Sequence, residues 1–102
     1  MEQGDIWLLE RPDTKPRPCL VLTRTDALRW MASITIAPLT TTVREIATEV
    51  RMGRDDGVPV DSVATFDNVR TVGRGSLTRR LGRMSPGRWH EVCAAMRAAI
   101  DC

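Results

Sequence analysis

Apolar and polar residues change rhythm several times along this chain, and each rhythm predicts an element. Ile6-Trp7-Leu8-Leu9, after the turn-like Gly4-Asp5, reads as a first strand that gives way to a loop at Arg11-Pro12-Asp13-Thr14. Cys19 to Thr23 is almost continuously apolar, as expected for a strand buried on both faces. Thr25 to Trp30 reads as a connection whose Trp30-Met31 pair is exposed. Ser33 to Leu39 alternates with a period of two and is rich in β-branched residues, which predicts a third strand ending or bulging at Pro38, because proline cannot donate to a ladder. Further β-like segments are Ala47 to Met52, Ser62 to Phe66, Val69 to Val72 and Leu77 to Leu81, separated by turn residues such as Gly53-Arg54-Asp55-Asp56-Gly57 and Asp67-Asn68.

The last stretch changes to helical spacing. Ser85 stands where an N-cap belongs and Pro86 at a first helical position. Trp89, Val92, Cys93, Met96 and Ile100 then recur as one apolar stripe, placed to pack on the sheet. Short strands at this spacing, closed by one helix, predict a small barrel rather than a βαβ fold.

Composition narrows the class. A chain of 102 residues is long enough for one core and too short for two, so 1–102 reads as a single domain. No apolar run approaches the ~20 residues of a membrane helix, and Glu2 and Asp5 stand where a signal peptide carries a basic region; a soluble, cytoplasmic chain is expected. Cys19, Cys93 and Cys102 are widely spaced and form no CxxC, which points to reduced thiols rather than a disulfide framework or zinc site. The net charge is only +2, yet fourteen of the fifteen cations are Arg, whose planar fork matches phosphate and stacks on bases. Genome base composition explains the same bias. From Arg70 onward seven Arg face only Glu91 and Asp101, so that end suits an anion or an acidic partner.

Most chemical motifs fail on inspection. Gly73-Arg74-Gly75 lacks the third glycine and following helix of a dinucleotide loop and reads as a turn. His90-Glu91 opens like HExxH, but residue 94 is Ala and the chain has a single histidine, so His90 reads as a partly exposed structural residue. Asp55, Asp56 and Asp61, among glycine and proline, read as a solvated turn rather than a metal cluster. What survives is Lys15-Pro16-Arg17-Pro18, a proline-stiffened basic loop leading into the second strand, and the Thr40-Thr41-Thr42 run after the third. Alone, the loop also fits a Pro-rich turn with a solvated Arg. If the two strands are neighbours, a guanidinium and hydroxyls converge on a phosphate-sized site.

The ordered set Gly4-Asp5-Ile6-Trp7, Arg17-Pro18-Cys19-Leu20-Val21-Leu22-Thr23, Ile34 to Thr40, Thr48-Glu49-Val50, Ser62-Val63-Ala64 through Asp67-Asn68-Val69-Arg70-Thr71-Val72, and Leu77-Thr78 resembles the MazF/PemK family of bacterial toxins, sequence-selective endoribonucleases of toxin–antitoxin pairs. The resemblance implies an SH3-like, mostly antiparallel β-barrel with a C-terminal helix, a homodimer, and RNA bound in a groove across the dimer interface. It implies Arg17 and Thr40 as the catalytic pair and Asn68 near a substrate base, with Thr41 beside them. The segment Arg11 to Pro16 is shorter than in many members, which often carry a carboxylate or amide there; Asp13 is the residue available to replace it.

The implied chemistry needs no metal or cofactor: the 2′-hydroxyl attacks the adjacent phosphate of single-stranded mRNA, tRNA or rRNA, leaving a 2′,3′-cyclic phosphate and a 5′-hydroxyl. The implied partner is an antitoxin whose acidic, disordered segment lies in the RNA groove, where Arg70, Arg74, Arg79, Arg80 and Arg83 can meet it. Two other readings stay open: a non-catalytic toxin of the same fold that inhibits a protein such as DNA gyrase, and a non-toxic SH3-like interaction module.

Overall fold

The computed structural model describes residues 1–101. Its seven strands are β1 (Asp5–Arg11), β2 (Thr14–Val21), β3 (Ser33–Thr40), β4 (Glu49–Met52), β5 (Ser62–Thr65), β6 (Arg70–Gly73) and β7 (Leu77–Arg83), followed by one helix, α1 (Trp89–Ile100). The order across the sheet is β4-β5-β3-β2-β1-β7, with β6 also paired to β3, and every pairing is antiparallel. The sheet curls into half a barrel.

Curling gives the sheet two apolar faces, and the two-residue period of the central strands fills both. In β2, Cys19 and Val21 enter one cluster and Leu20 the other; in β3, Ile34 and Ile36 enter the first and Ala37 and Leu39 the second. The expected strand buried on both faces is therefore present at Cys19–Val21. Each fully buried Leu or Ile contributes about 1.5–3 kcal/mol over its exposed state, so these strands anchor the fold.

The segment Arg11–Pro18 differs from its expectation as a loop. β1 and β2 form a tight hairpin with Pro12 and Asp13 at its tip, Arg11 opposite Thr14 and Leu9 opposite Arg17. β2 meets β3 only from Cys19 onward. The stretch Thr14–Pro18 is thus ladder-paired on the β1 side alone, where two prolines are tolerated and also blunt the open edge.

Pro38 does not end β3. The strand pairs with β6 through Ile36 and with β5 from Leu39, and Pro38 falls between the two pairings. The β-like segments are confirmed with shifted bounds: Ser62–Thr65 is followed by a 3-10 turn at Phe66–Asn68, and β7 runs on to Arg83. Of Gly73-Arg74-Gly75, expected as a turn, Gly73 ends β6 and Arg74-Gly75 lies in a 3-10 turn. The connection after β2 folds into helical turns, with Trp30 72% exposed. Arg74 fastens that connection by donating from Nε to the Met31 carbonyl at 3.2 Å and from Nη2 to the Leu28 carbonyl.

The helix begins later than its sequence signal. Pro86–Arg88 forms a 3-10 turn, Ser85 makes no side-chain cap, and α1 starts at Trp89. Val92 and Ala95 are buried, and Trp89, Met96 and Ala99 pack on the same cluster, whereas Ile100, predicted to close the stripe, is 61% exposed. Its place in the core is taken by the alanines. Arg88 ties the helix start to the sheet. Its Nη1 lies 3.3 Å from Asp56 Oδ1, its Nε donates to Glu91 at 2.8 Å, and its Nη2 donates to the Arg51 carbonyl at 2.6 Å.

Asp56 also differs from its expectation. It is not solvated but 5% exposed, and its Oδ2 also accepts the Gly53 N–H at 2.9 Å. Cys19 and Cys93 are free thiols, and Cys102 lies outside the described residues. Among the described residues no helix is long and apolar enough to cross a membrane.

Candidate functional site: a basic cleft at the diverging ends of β2 and β3

Two strands that run side by side and then separate leave a gap, and that gap is where the candidate residues stand. β2 and β3 are in register as far as Cys19 and Pro38; beyond that pair β3 turns to β5, while β2 continues with β1. Counting by two from the buried positions puts Arg17 on the face of Cys19 and Val21, and Thr40 on the face of Ile34 and Ile36. Both therefore stand at the open end of one apolar cluster, and both line a cleft of about 490 Å³ whose walls include Leu9 and Pro38.

Five cations reach this cleft: Arg11, Lys15, Arg17, Arg44 and Arg70. One carboxylate, Glu49, lines it. None of the five is in an ion pair among the described residues, although six pairs form elsewhere. Unneutralised cations converging on a concave surface raise the local concentration of anions, and arginine forks match phosphate oxygens.

The polar groups between these charges are fixed by local hydrogen bonds. The Thr42 N–H donates to Thr40 Oγ1 at 3.2 Å, so an oxygen lone pair is used internally while the hydroxyl proton stays free to donate. Glu49 Oε1 accepts the N–H groups of both Arg44 and Glu45 at 3.0 Å. Its charge thus anchors the Thr41–Thr48 connection, in which Glu45 holds a left-handed φ of 55°. Asn68 ends the turn after β5. Phe66 is buried in the core, and Asp67 accepts the Thr48 hydroxyl at 2.7 Å, so this turn and the connection are tied together.

The structure brings Arg17, Thr40 and Asn68 around one cleft. Thr41 lines a second groove on the other side of the strand ends, and Asp13 is exposed at the hairpin tip, outside the lining of both. Arg11, Lys15 and Arg44 are cleft residues that the sequence did not single out as such. Lys15 had a usable signal, since it alternates with Arg17. Arg44 had none, because its approach depends on the Glu49 anchor. Of the arginines assigned to an acidic partner, Arg70 faces the cleft, Arg80 and Arg83 pair with Asp5 at 3.5 Å and Glu2 at 2.9 Å, and Arg74 is spent on backbone carbonyls.

Other candidate chemistry is accounted for structurally. A depression of about 720 Å³ beside Asp55, Asp56 and Asp61 holds the Arg88–Asp56 pair, so its charges are partly balanced internally. Among the described residues no three His, Cys, Asp or Glu side chains come together as a metal site. His90 is exposed, with Nδ1 3.0 Å from the Gly87 carbonyl. Burial pushes the Cys19 thiol up to about 12, against a smaller opposing effect of its hydrogen bond to the Trp7 backbone, so it is no nucleophile.

The model of the PemK-like, MazF-like toxins of type II toxin–antitoxin systems matches residues 2–100. The chain belongs to this family. It is 36% identical over 103 residues to the probable endoribonuclease MazF2 of Mycobacterium tuberculosis (strain ATCC 25618 / H37Rv), with 100% of both chains covered. Among solved structures, Mycobacterium tuberculosis toxin MazF-mt6 superposes with a TM-score of 0.89 at 33% identity, covering 95% of this chain and 96% of that one. An endoribonuclease in complex with its cognate antitoxin, from a mycobacterial species, gives a TM-score of 0.86 at 27% identity, covering 99% and 95%. As a family member the chain is a toxin of the PemK/MazF type, with the fold those structures share.

Proposed function

We propose that this toxin is an endoribonuclease that cuts single-stranded RNA in the basic cleft, with Arg17 and Thr40 at the reacting phosphate. The observation that carries the reading is the cleft itself: five cations, without an ion pair among the described residues, around one oriented threonine hydroxyl. The names borne by its relatives support the same activity.

In the proposed reaction the 2′ oxygen attacks the adjacent phosphorus, losing its proton. The bond from phosphorus to the 5′ oxygen breaks, and that oxygen takes up a proton. The products are a 2′,3′-cyclic phosphate and a 5′-hydroxyl. Negative charge builds on the phosphorane oxygens, and preorganised donors that meet it there lower the barrier. Arginine side chains stay protonated at physiological pH, so Arg17 serves as an electrostatic clamp. The Thr40 hydroxyl donates to a phosphate oxygen. Lys15, Arg44 and Arg70 hold neighbouring phosphates, and Asn68 presents an amide able to read a base edge. No step in this scheme uses a metal.

The same cleft suits the acidic, disordered segment of a cognate antitoxin, which would silence the toxin by occupying the RNA site. A homodimer acting in the cytoplasm completes the proposal. The test is to incubate purified protein with single-stranded RNA in EDTA and to characterise the new ends. The reading predicts fragments with 5′-hydroxyl termini that accept label from a kinase without prior phosphatase treatment. Intact RNA, or cleavage abolished by EDTA, contradicts it.

A further inference from the structure

The basic cleft is one of two spaces opened where β2 and β3 diverge. The other, about 350 Å³, lies on the opposite side of the strand ends. By the two-residue period Pro16, Pro18 and Thr41 belong to that side, while Arg17, Leu39 and Thr40 line both spaces. The facing wall is the Val58–Val60 segment.

That wall is held rigidly and left apolar. Val58 is buried and its N–H donates to the Gly53 carbonyl at 3.1 Å. Ser62 Oγ donates to the Val60 carbonyl at 2.8 Å, which uses the Ser62 hydroxyl proton internally. Val60 itself is 57% exposed. The groove is therefore a slot with proline and valine sides, with Lys15, Arg17 and Thr40 at the lip it shares with the basic cleft and the Thr41 hydroxyl as a further polar handle of its own. Its volume falls at the small end of ligand sites, which span about 300–1,000 Å³.

We propose that this slot receives the nucleobase next to the scissile phosphate and that Val60 and Thr41 set which base is accepted. The inference rests on the endoribonuclease reading above. A phosphate held by Arg17 and Thr40 has a base tethered to it by one sugar, and single-stranded RNA is read by splaying bases out of the stack onto apolar surfaces. The slot offers such a surface across the same lip, and Lys15, shared by both spaces, draws the backbone over it. The ring stacks on the proline and valine faces, and the Thr41 hydroxyl meets a base edge.

The experiment sequences the fragments cut from RNA randomised around the cleavage site, for wild type, Val60→Trp and Thr41→Ala. In parallel, a 2′-deoxy oligonucleotide that resists cleavage is titrated with each protein, with abasic residues placed singly along it. Wild type is expected to prefer particular bases at the position flanking the cut, and an abasic residue there weakens binding on the order of tenfold. In Val60→Trp that preference changes by about tenfold, the abasic penalty disappears, and preferences elsewhere stay as they were. Thr41→Ala shifts the preference at the same position. Identical cleavage preferences and abasic penalties in all three proteins overturn the inference while leaving the endoribonuclease reading standing. Unchanged RNA behaviour with altered self-association or binding of an acidic peptide in Val60→Trp also overturns it, and assigns the slot to a protein. Failure of wild type to cut or bind RNA defeats both readings together.

Discussion

The backbone N–H of Thr42 donates to Thr40 Oγ1 at 3.2 Å, so the strand that carries Thr40 orients its hydroxyl through the residue two places on. The contact is short in sequence and independent of substrate. The Thr40 oxygen is therefore held in place before RNA arrives while its proton stays free to donate, and such preorganisation makes a donor effective in a transition state.

The first prediction concerns that hydroxyl. Thr40→Val keeps the shape and removes the donor, and is expected to lower kcat on the order of 10²–10³-fold with little change in KM. Thr40→Ser restores the donor with a looser rotamer and should retain most of the rate. Steady-state cleavage of a labelled oligonucleotide separates these, and equal kcat for Thr40→Val and wild type removes Thr40 from the chemistry.

Glu49 gives a different pattern. It fastens Arg44 and Glu45 through their N–H groups rather than touching the reacting atoms, so Glu49→Ala should free the connection that carries Arg44. We expect KM to rise several-fold while kcat changes less, and protease cleavage between residues 41 and 48 to quicken. Glu49→Gln, which keeps an acceptor oxygen, should fall between the two.

Arg88 tests the anchoring of the helix. Asp56 is nearly inaccessible, and removing its partner leaves a buried carboxylate without its cation. Arg88→Ala should cost about 2–3 kcal/mol of stability in denaturant unfolding, within the range for orphaned buried polar or charged groups. The same site carries a pH dependence. The hydrogen bond from Arg88 holds the Glu91 carboxyl below its ordinary value near 4.5. A carboxyl depressed in the folded state adds stability above its unfolded value and loses it as pH falls through the folded one. Stability should therefore decline below about pH 4.5 in wild type, and Glu91→Gln should remove part of that decline; identical acid unfolding curves for the two proteins count against the pairing.

Backbone closeness makes a fourth case. A Cβ built on Gly82 would lie 2.7 Å from the Gly57 Cα, and Gly57 itself has a φ of +91°. Neither strand β7 nor the turn after Asp56 can give way without breaking the Asp56–Arg88 tie. Gly82→Ala should destabilise by about 3 kcal/mol or more, as overpacking against rigid backbone does. Thermal unfolding measures it, and a melting temperature equal to that of wild type contradicts the contact.

Several of these features were legible in the residues and several were not, for physical reasons. The runs at Cys19–Val21 and Ser33–Leu39 announced central strands because burial on one or both faces writes a simple period. Arg17 and Thr40 could be expected at one site once those strands were taken as neighbours. The hairpin half of β2 was hidden because Pro16 and Pro18 carry a turn signature, and only an edge position lets a strand accept them. Arg44 reaches the cleft through a contact to Glu49 that leaves no local pattern. Asp56 looked solvated because its partner lies 32 residues away, and Ile100 looked buried because a helical stripe does not reveal where the core beneath it ends.

The most direct test of the central claim is the single-turnover rate of RNA cleavage by wild type and Arg17→Ala, in EDTA, with circular dichroism confirming that both are folded. Arg17 is exposed and has no ion pair among the described residues, so its removal should leave the fold intact. The account predicts a rate lower by on the order of 10²–10³-fold in Arg17→Ala, with the same 5′-hydroxyl ends on the residual product. Equal rates for the two folded proteins would contradict it.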